Sequence, residues 1–127
     1  MYPKALIIED NEDNQYLESL LLKQSGFSVI TALDGREGIE RARQALPDII
    51  ILDIQMPVMD GYETVACLKS DPVLRSIPVV GVSSYTLNVE REKALSLGFN
   101  GYIEKPIDPD SFVDEIRRFL PLREGDE

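Results

Sequence analysis

At 127 residues the chain has the length of one ordinary domain, enough for a real core and too short for a second domain of similar size. Thirteen Lys and Arg against 23 Asp and Glu leave a formal charge of -10, a surface that repels nucleic acid, and no basic stripe offsets it, so direct DNA binding is excluded. With no histidine, the commonest general base, the commonest metal ligand and a phosphohistidine carrier role are all removed, and any chemistry falls to carboxylates, hydroxyls, a lysine and a hard metal ion.

The chain opens without a basic, apolar leader and runs straight into a strand over Lys4 to Ile8. No apolar stretch approaches the ~20 residues of a membrane span, so a cytoplasmic protein without membrane contact is expected. Asn11 to Gln24 carries Tyr16, Leu17, Leu20, Leu21 and Gln24 at helical spacing, and Gly26 closes that helix. Phe27 to Ala32 reads as a second strand. Asp34-Gly35 turns into a helix through Ala45, with Ile39, Ala42 and Leu46 inward and Pro47 as its stop.

Asp48 to Leu52 is the third strand, and IIILDIQMPVMDG (49–61) holds a lone acid, Asp53, at the end of an apolar run of the kind buried on both faces. Gly61 to Lys69 is a helix ending near Asp71-Pro72. It carries the only cysteine, Cys67, read as an inert, half-buried thiol suited to a reducing compartment. Ile77 to Val82 is a fourth strand, Leu87 to Leu97 a helix stopped by Gly98, and Gly101 to Ile103 a short fifth strand. Pro109 to Leu120 is a last amphipathic helix with Phe112, Ile116 and Phe119 inward. The domain is read as 1–122, and 123–127 as a polar tail.

Strands alternating with helices predict a doubly wound α/β domain, a five-stranded parallel sheet with helices on both faces. In such sheets ligands bind beyond the carboxyl ends of the strands, where strand order reverses. The first strand ends in Glu9-Asp10, the third in Asp53, the fourth in Ser83-Ser84 and the fifth in Glu104-Lys105-Pro106. Each alone has a structural explanation: Asp10 or Asp53 as a cap, a serine capping the fourth helix, a solvated lysine. Those explanations leave unexplained why acids from two strands and a lysine from a third reach one rim.

Clustered carboxylates with no imidazole or thiolate nearby favour a divalent cation, magnesium or manganese. Once neutralised, Asp53 can attack phosphorus, with Lys105 as a point charge on the transferred group and the Ser83 hydroxyl donating to one of its oxygens. The expected chemistry is phosphoryl transfer onto Asp53.

Glu9-Asp10, Asp53 with MPVMDG after it, Ser83 and Lys105-Pro106, in order and suitably spaced over essentially all of the chain, resemble the receiver domain of two-component response regulators. The resemblance implies a CheY-like, flavodoxin-like (βα)5 fold, with Asp53 as phosphoacceptor, forming an aspartyl phosphate. It implies magnesium on Asp10, Asp53 and the Gln55 carbonyl, with Glu9 acting through a water, and Lys105 pairing with the acceptor and then with the phosphoryl group. The bond to Pro106 is cis in the family. Ser83 corresponds to its switch hydroxyl and Tyr102 to its switch aromatic.

Implied partners are a sensor histidine kinase or histidine phosphotransfer protein as donor. A downstream protein target is expected on the fourth-helix to fifth-helix face, as is a second copy on phosphorylation. The chain departs from the family at Ser83, which lacks the β-branch of the commoner Thr, at Ser84, where a small apolar residue is usual, and at Tyr85, a bulky ring near the site. Gln55 and Tyr85 bear on water access and so on phosphoryl lifetime.

Three rivals are weaker. A haloacid-dehalogenase-type phosphotransferase needs an acid where Gln55 stands, and a flavin or nucleotide module needs a glycine-rich loop where the chain reads EDNEDNQ. A domain that only binds partners leaves the acids and lysine unexplained. The length leaves no room for an effector domain, which favours a stand-alone receiver over one cut from a larger regulator or hybrid kinase.

Overall fold

The computed structural model describes residues 2–56, 59–84 and 88–120. The expectations for Pro57, Val58, Tyr85, Leu87 and the tail lie outside them. Along the chain run β1 (Lys4–Ile8), α1 (Glu12–Gln24), β2 (Ser28–Ala32), α2 (Gly35–Ala45), β3 (Ile49–Asp53), α3 (Gly61–Ser70), β4 (Val79–Ser83), α4 (Asn88–Ser96), β5 (Gly101–Glu104) and α5 (Phe112–Arg117).

The strands form one parallel sheet in the order β2-β1-β3-β4-β5. Order reverses between β1 and β3, which puts the crevice over the ends of those two strands, while β2, with no chemistry at its end, lies at the edge.

Alternation along the strands divides the core. Leu6 and Ile8 of β1 with Ile50 and Leu52 of β3 pack with Ala42 of α2, Val65 and Leu68 of α3 and Ala94 of α4. Ala5, Ile7, Ile49, Ile51, Val80, Val82 and Ile103 face the other way, onto Leu22 of α1 and Phe112 and Ile116 of α5. Both faces are therefore covered, which is why the central strands read as unbroken apolar runs.

Local signals set most boundaries. Asn11, Asp34 and Asp60 cap α1, α2 and α3, each accepting from the backbone N–H three residues on at 2.8–2.9 Å. The cap of α1 is thus Asn11 and not Asp10, and that of α3 is Asp60 and not Asp53. Gly26 and Gly98 take positive φ after α1 and α4, as helix-stopping glycines do.

Several expectations are corrected. Leu46 does not face inward: it is the C-cap of α2, in the left-handed region (φ 47°) with its N–H on the Ala42 carbonyl, and it is 53% exposed. On α1 the residues at helical spacing divide: Leu21 packs against the core, whereas Leu20 and Gln24 are exposed. Tyr16 is 69% exposed, and Glu18, Ser19 and Leu22 are buried instead. Cys67 is exposed rather than half-buried. Regular α5 helix is confined to Phe112–Arg117, shorter than Pro109 to Leu120, with Phe112 and Ile116 buried and Phe119 packed at the margin.

Candidate functional site

Register brings the strand ends together. Ile8 pairs with Leu52, so Glu9 and Asp53 follow at the same level of neighbouring strands, and both share the side-chain parity of the α1–α5 face. Glu9 and Asp53 are buried and Asp10 is exposed. A carboxylate oxygen from each of the three lies within 4.8 Å of the others.

Lys105 reaches this cluster from the end of β5, its Nζ 3.2 Å from Asp53 Oδ1 and 3.2 Å from Glu9 Oε1. Its backbone N–H donates to the Ser83 carbonyl at 2.8 Å, and the Lys105-Pro106 bond is cis. Asp53 Oδ1 also accepts the Gln55 N–H at 3.1 Å.

Two buried acids sharing one lysine are not fully compensated. Burial, then the neighbouring Asp53, push the Glu9 carboxyl well above the usual range despite Lys105. Burial alone would lower the Lys105 ammonium, but the charges of Asp53 and Glu9 outweigh it and raise that group. Glu9 Oε2 has no hydrogen-bond partner among the described residues. An all-oxygen donor set with an orphaned buried oxygen fits a hard divalent cation, which would relieve the repulsion.

At the end of β4, Ser83 is fully buried. Ser84, next in the chain, donates from its N–H (3.2 Å) and hydroxyl (2.9 Å) to Gln55 Oε1, tying the loop after β4 to the loop after β3. Tyr102 is half-buried on the face opposite Asp53, and the Arg91 guanidinium of α4 sits 5.5 Å from its ring centroid.

Two residues absent from the sequence reading belong to the surroundings of this site. The Gln15 amide donates to the carbonyls of Glu9 (3.2 Å) and Ala32 (3.1 Å), fixing α1 to the rim. Glu18, one turn further along α1, is 97% buried. Burial raises its carboxyl to about 7, with Lys105 lowering it and Asp53 raising it. The signal for both was their position one helical turn apart after the rim, but on α1 they read as solvent-facing polar residues.

A buried acid with a raised pKa binds protons more tightly folded than unfolded. Its contribution is therefore complete below about pH 4.5 and lost as pH rises through about 7. Glu18→Gln removes that loss. In urea titrations the variant should gain on the parent by roughly 3 kcal/mol between acid and mildly alkaline pH. A constant difference across that range would place Glu18 in water.

Comparison with known proteins agrees with this geometry. The profile of the response regulator receiver domain matches residues 5–117. The polar-differentiation response regulator DivK of Brucella anthropi is 38% identical over 119 residues, 93% of this chain and 97% of that protein. Vibrio cholerae chemotaxis protein CheY4 superposes with a TM-score of 0.90 at 29% identity, covering 94% of this chain and all of the other. The receiver domain of sensor histidine kinase PA1611 from Pseudomonas aeruginosa, solved with a magnesium ion coordinated in its active-site cleft, gives 0.85 at 27% identity over 94% and 98%.

Proposed function

The chain belongs to the response regulator receiver domain family of two-component signalling, and on that premise we propose that it takes a phosphoryl group onto Asp53 from a phosphohistidine of a sensor histidine kinase or histidine phosphotransfer protein. The observation that carries this reading is the meeting of acids from β1 and β3 with Lys105, 3.2 Å from the Asp53 carboxylate.

An Asp53 oxygen attacks phosphorus as the phosphorus–nitrogen bond to the donor imidazole breaks, and the electron pair leaves with the imidazole. Magnesium held by Asp10, Asp53 and the Gln55 carbonyl, with Glu9 nearby, would supply the positive charge that lets an anionic group approach three carboxylates. Lys105 exchanges its contact with the carboxylate for one with the transferred oxygens. Gln55 carries an amide where a dehalogenase-type enzyme needs an acid, which sets that alternative aside.

After transfer, Ser83 donates to a phosphoryl oxygen. Because its carbonyl accepts the Lys105 N–H, a shift of Ser83 pulls on the end of β5, the strand that carries Tyr102. Tyr102 then turns inward, and the α4–α5 surface changes what it binds, a downstream protein or a second copy of the chain. The setting is the cytoplasm, where such donors act, and no helix among the described residues is long and apolar enough to cross a membrane.

The test is incubation with magnesium and acetyl phosphate followed by peptide mass spectrometry. One hydroxylamine-labile phosphoryl group on the peptide containing Asp53 is the expected result. No modification, or one placed elsewhere, overturns the assignment.

A further inference from the structure

Beside Lys105, which forms part of its wall, a cavity of about 340 Å³ opens between α1 and the chain after β5. That is the lower end of ordinary small-ligand sites. Leu17, Pro106 and Ile107 supply apolar wall, Asn14 and Ser84 a polar rim, and Glu18 an acid. Glu18 is 97% buried, yet among the described residues it makes no hydrogen bond and no ion pair. The nearest cation felt by it, Lys105, is committed to Glu9 and Asp53.

A buried acid without a partner is costly, and the proposed phosphotransfer makes no use of it. Its surroundings select the sign of a ligand. Asp10, Asp53 and Glu18 stand against one ammonium, in a chain whose formal charge is -10. The shape of the acceptor selects the kind of cation. Oε2 is sealed from the cavity, which leaves Oε1 as the open oxygen. A guanidinium fork needs two carboxylate oxygens side by side, whereas an ammonium needs one. The apolar walls suit an aliphatic stem behind it.

We propose that this cavity is a binding site for a primary ammonium group on a short aliphatic stem, seated on Glu18 and flanked by Leu17, Pro106 and Ile107. Two sources share that chemistry, a free aliphatic amine and a lysine side chain of another protein. The site borders the phosphoacceptor through Lys105 but does not include Asp53, and stands whether or not Asp53 is phosphorylated.

The experiment is an amide-resolved NMR titration with n-butylammonium at about pH 8, where Glu18 is ionised, with saturating magnesium present. Saturable shifts at Asn14, Leu17, Glu18 and Ile107 are expected. They should weaken at least about tenfold in Glu18→Gln and be missing with n-butanol. Unchanged affinity in a Glu18→Gln protein that still unfolds cooperatively overturns the proposal. So do shifts confined to Asp10 and Asp53, because the amine would then merely be standing in for a metal. Tighter binding of cadaverine points to a free amine, and tighter binding of Nα-acetyl-lysine amide to a protein lysine. Failure of n-butylammonium to bind sinks the site and leaves phosphorylation of Asp53 untouched.

Discussion

Asp53→Asn abolishes phosphoryl acceptance: after incubation with magnesium and acetyl phosphate, intact-mass spectrometry should find no labelled protein where the parent is labelled. The reason is positional. Asp53 is the one acid of the rim that is buried, lies beside Lys105 Nζ and has its oxygen fixed by the Gln55 N–H. Asp10 is exposed, and burial together with Asp53 keeps the Glu9 carboxyl raised and poorly nucleophilic near neutral pH.

The same substitution carries a second signature. Removing the charge of Asp53 takes away one of the influences that raise Glu9, so Glu9 ionises at lower pH. The loss of stability on raising pH that Glu9 causes then shrinks, because that loss scales with the gap between its folded and unfolded titration. Label that persists in the variant, at any residue, would move the acceptor elsewhere.

Gly61→Ala destabilises the fold by about 2–3 kcal/mol, read as a lower urea midpoint at unchanged slope. A Cβ at this position would stand 2.5 Å from the Ile54 Cα and 2.9 Å from the Asp53 carbonyl oxygen. Both are backbone atoms, so no side-chain rotation relieves the contact. The Gly61 N–H donates to the Ile54 carbonyl at 2.9 Å, which clamps the start of α3 against the end of β3. Relief must come from moving one against the other. A displaced Ile54 alters the aim of Asp53, and phosphoryl acceptance should slow along with the fall in stability. If both properties stayed at parental values, the approach of α3 to β3 would be looser than described.

Gly61 and Asp53 illustrate how far the sequence reaches. Parallel strands covered on both faces must be apolar throughout, so β1, β3 and β4 announce themselves, and the residue that breaks the apolar run marks the strand end. Alternation with helices then determines a parallel sheet, and the rule that ligands sit over carboxyl strand ends gathers Glu9, Asp10, Asp53, Ser83 and Lys105 without coordinates. Helix starts were legible to within a few residues because capping is a local matter between a side chain and the next turn.

What only the tertiary structure decided is which side of a helix meets the rim. On α1 the spacing of Leu and Tyr suggested an apolar stripe; Leu21 and Leu22 do pack on the core, but Tyr16 stays exposed and Glu18 and Ser19 are buried. The bond between Gln55 and Ser84 joins residues far apart in the chain, and Leu46 turns outward where α2 meets Pro47. Periodicity records how a helix would pack against oil. It does not show which polar residues the neighbouring elements will enclose, as they enclose Glu18.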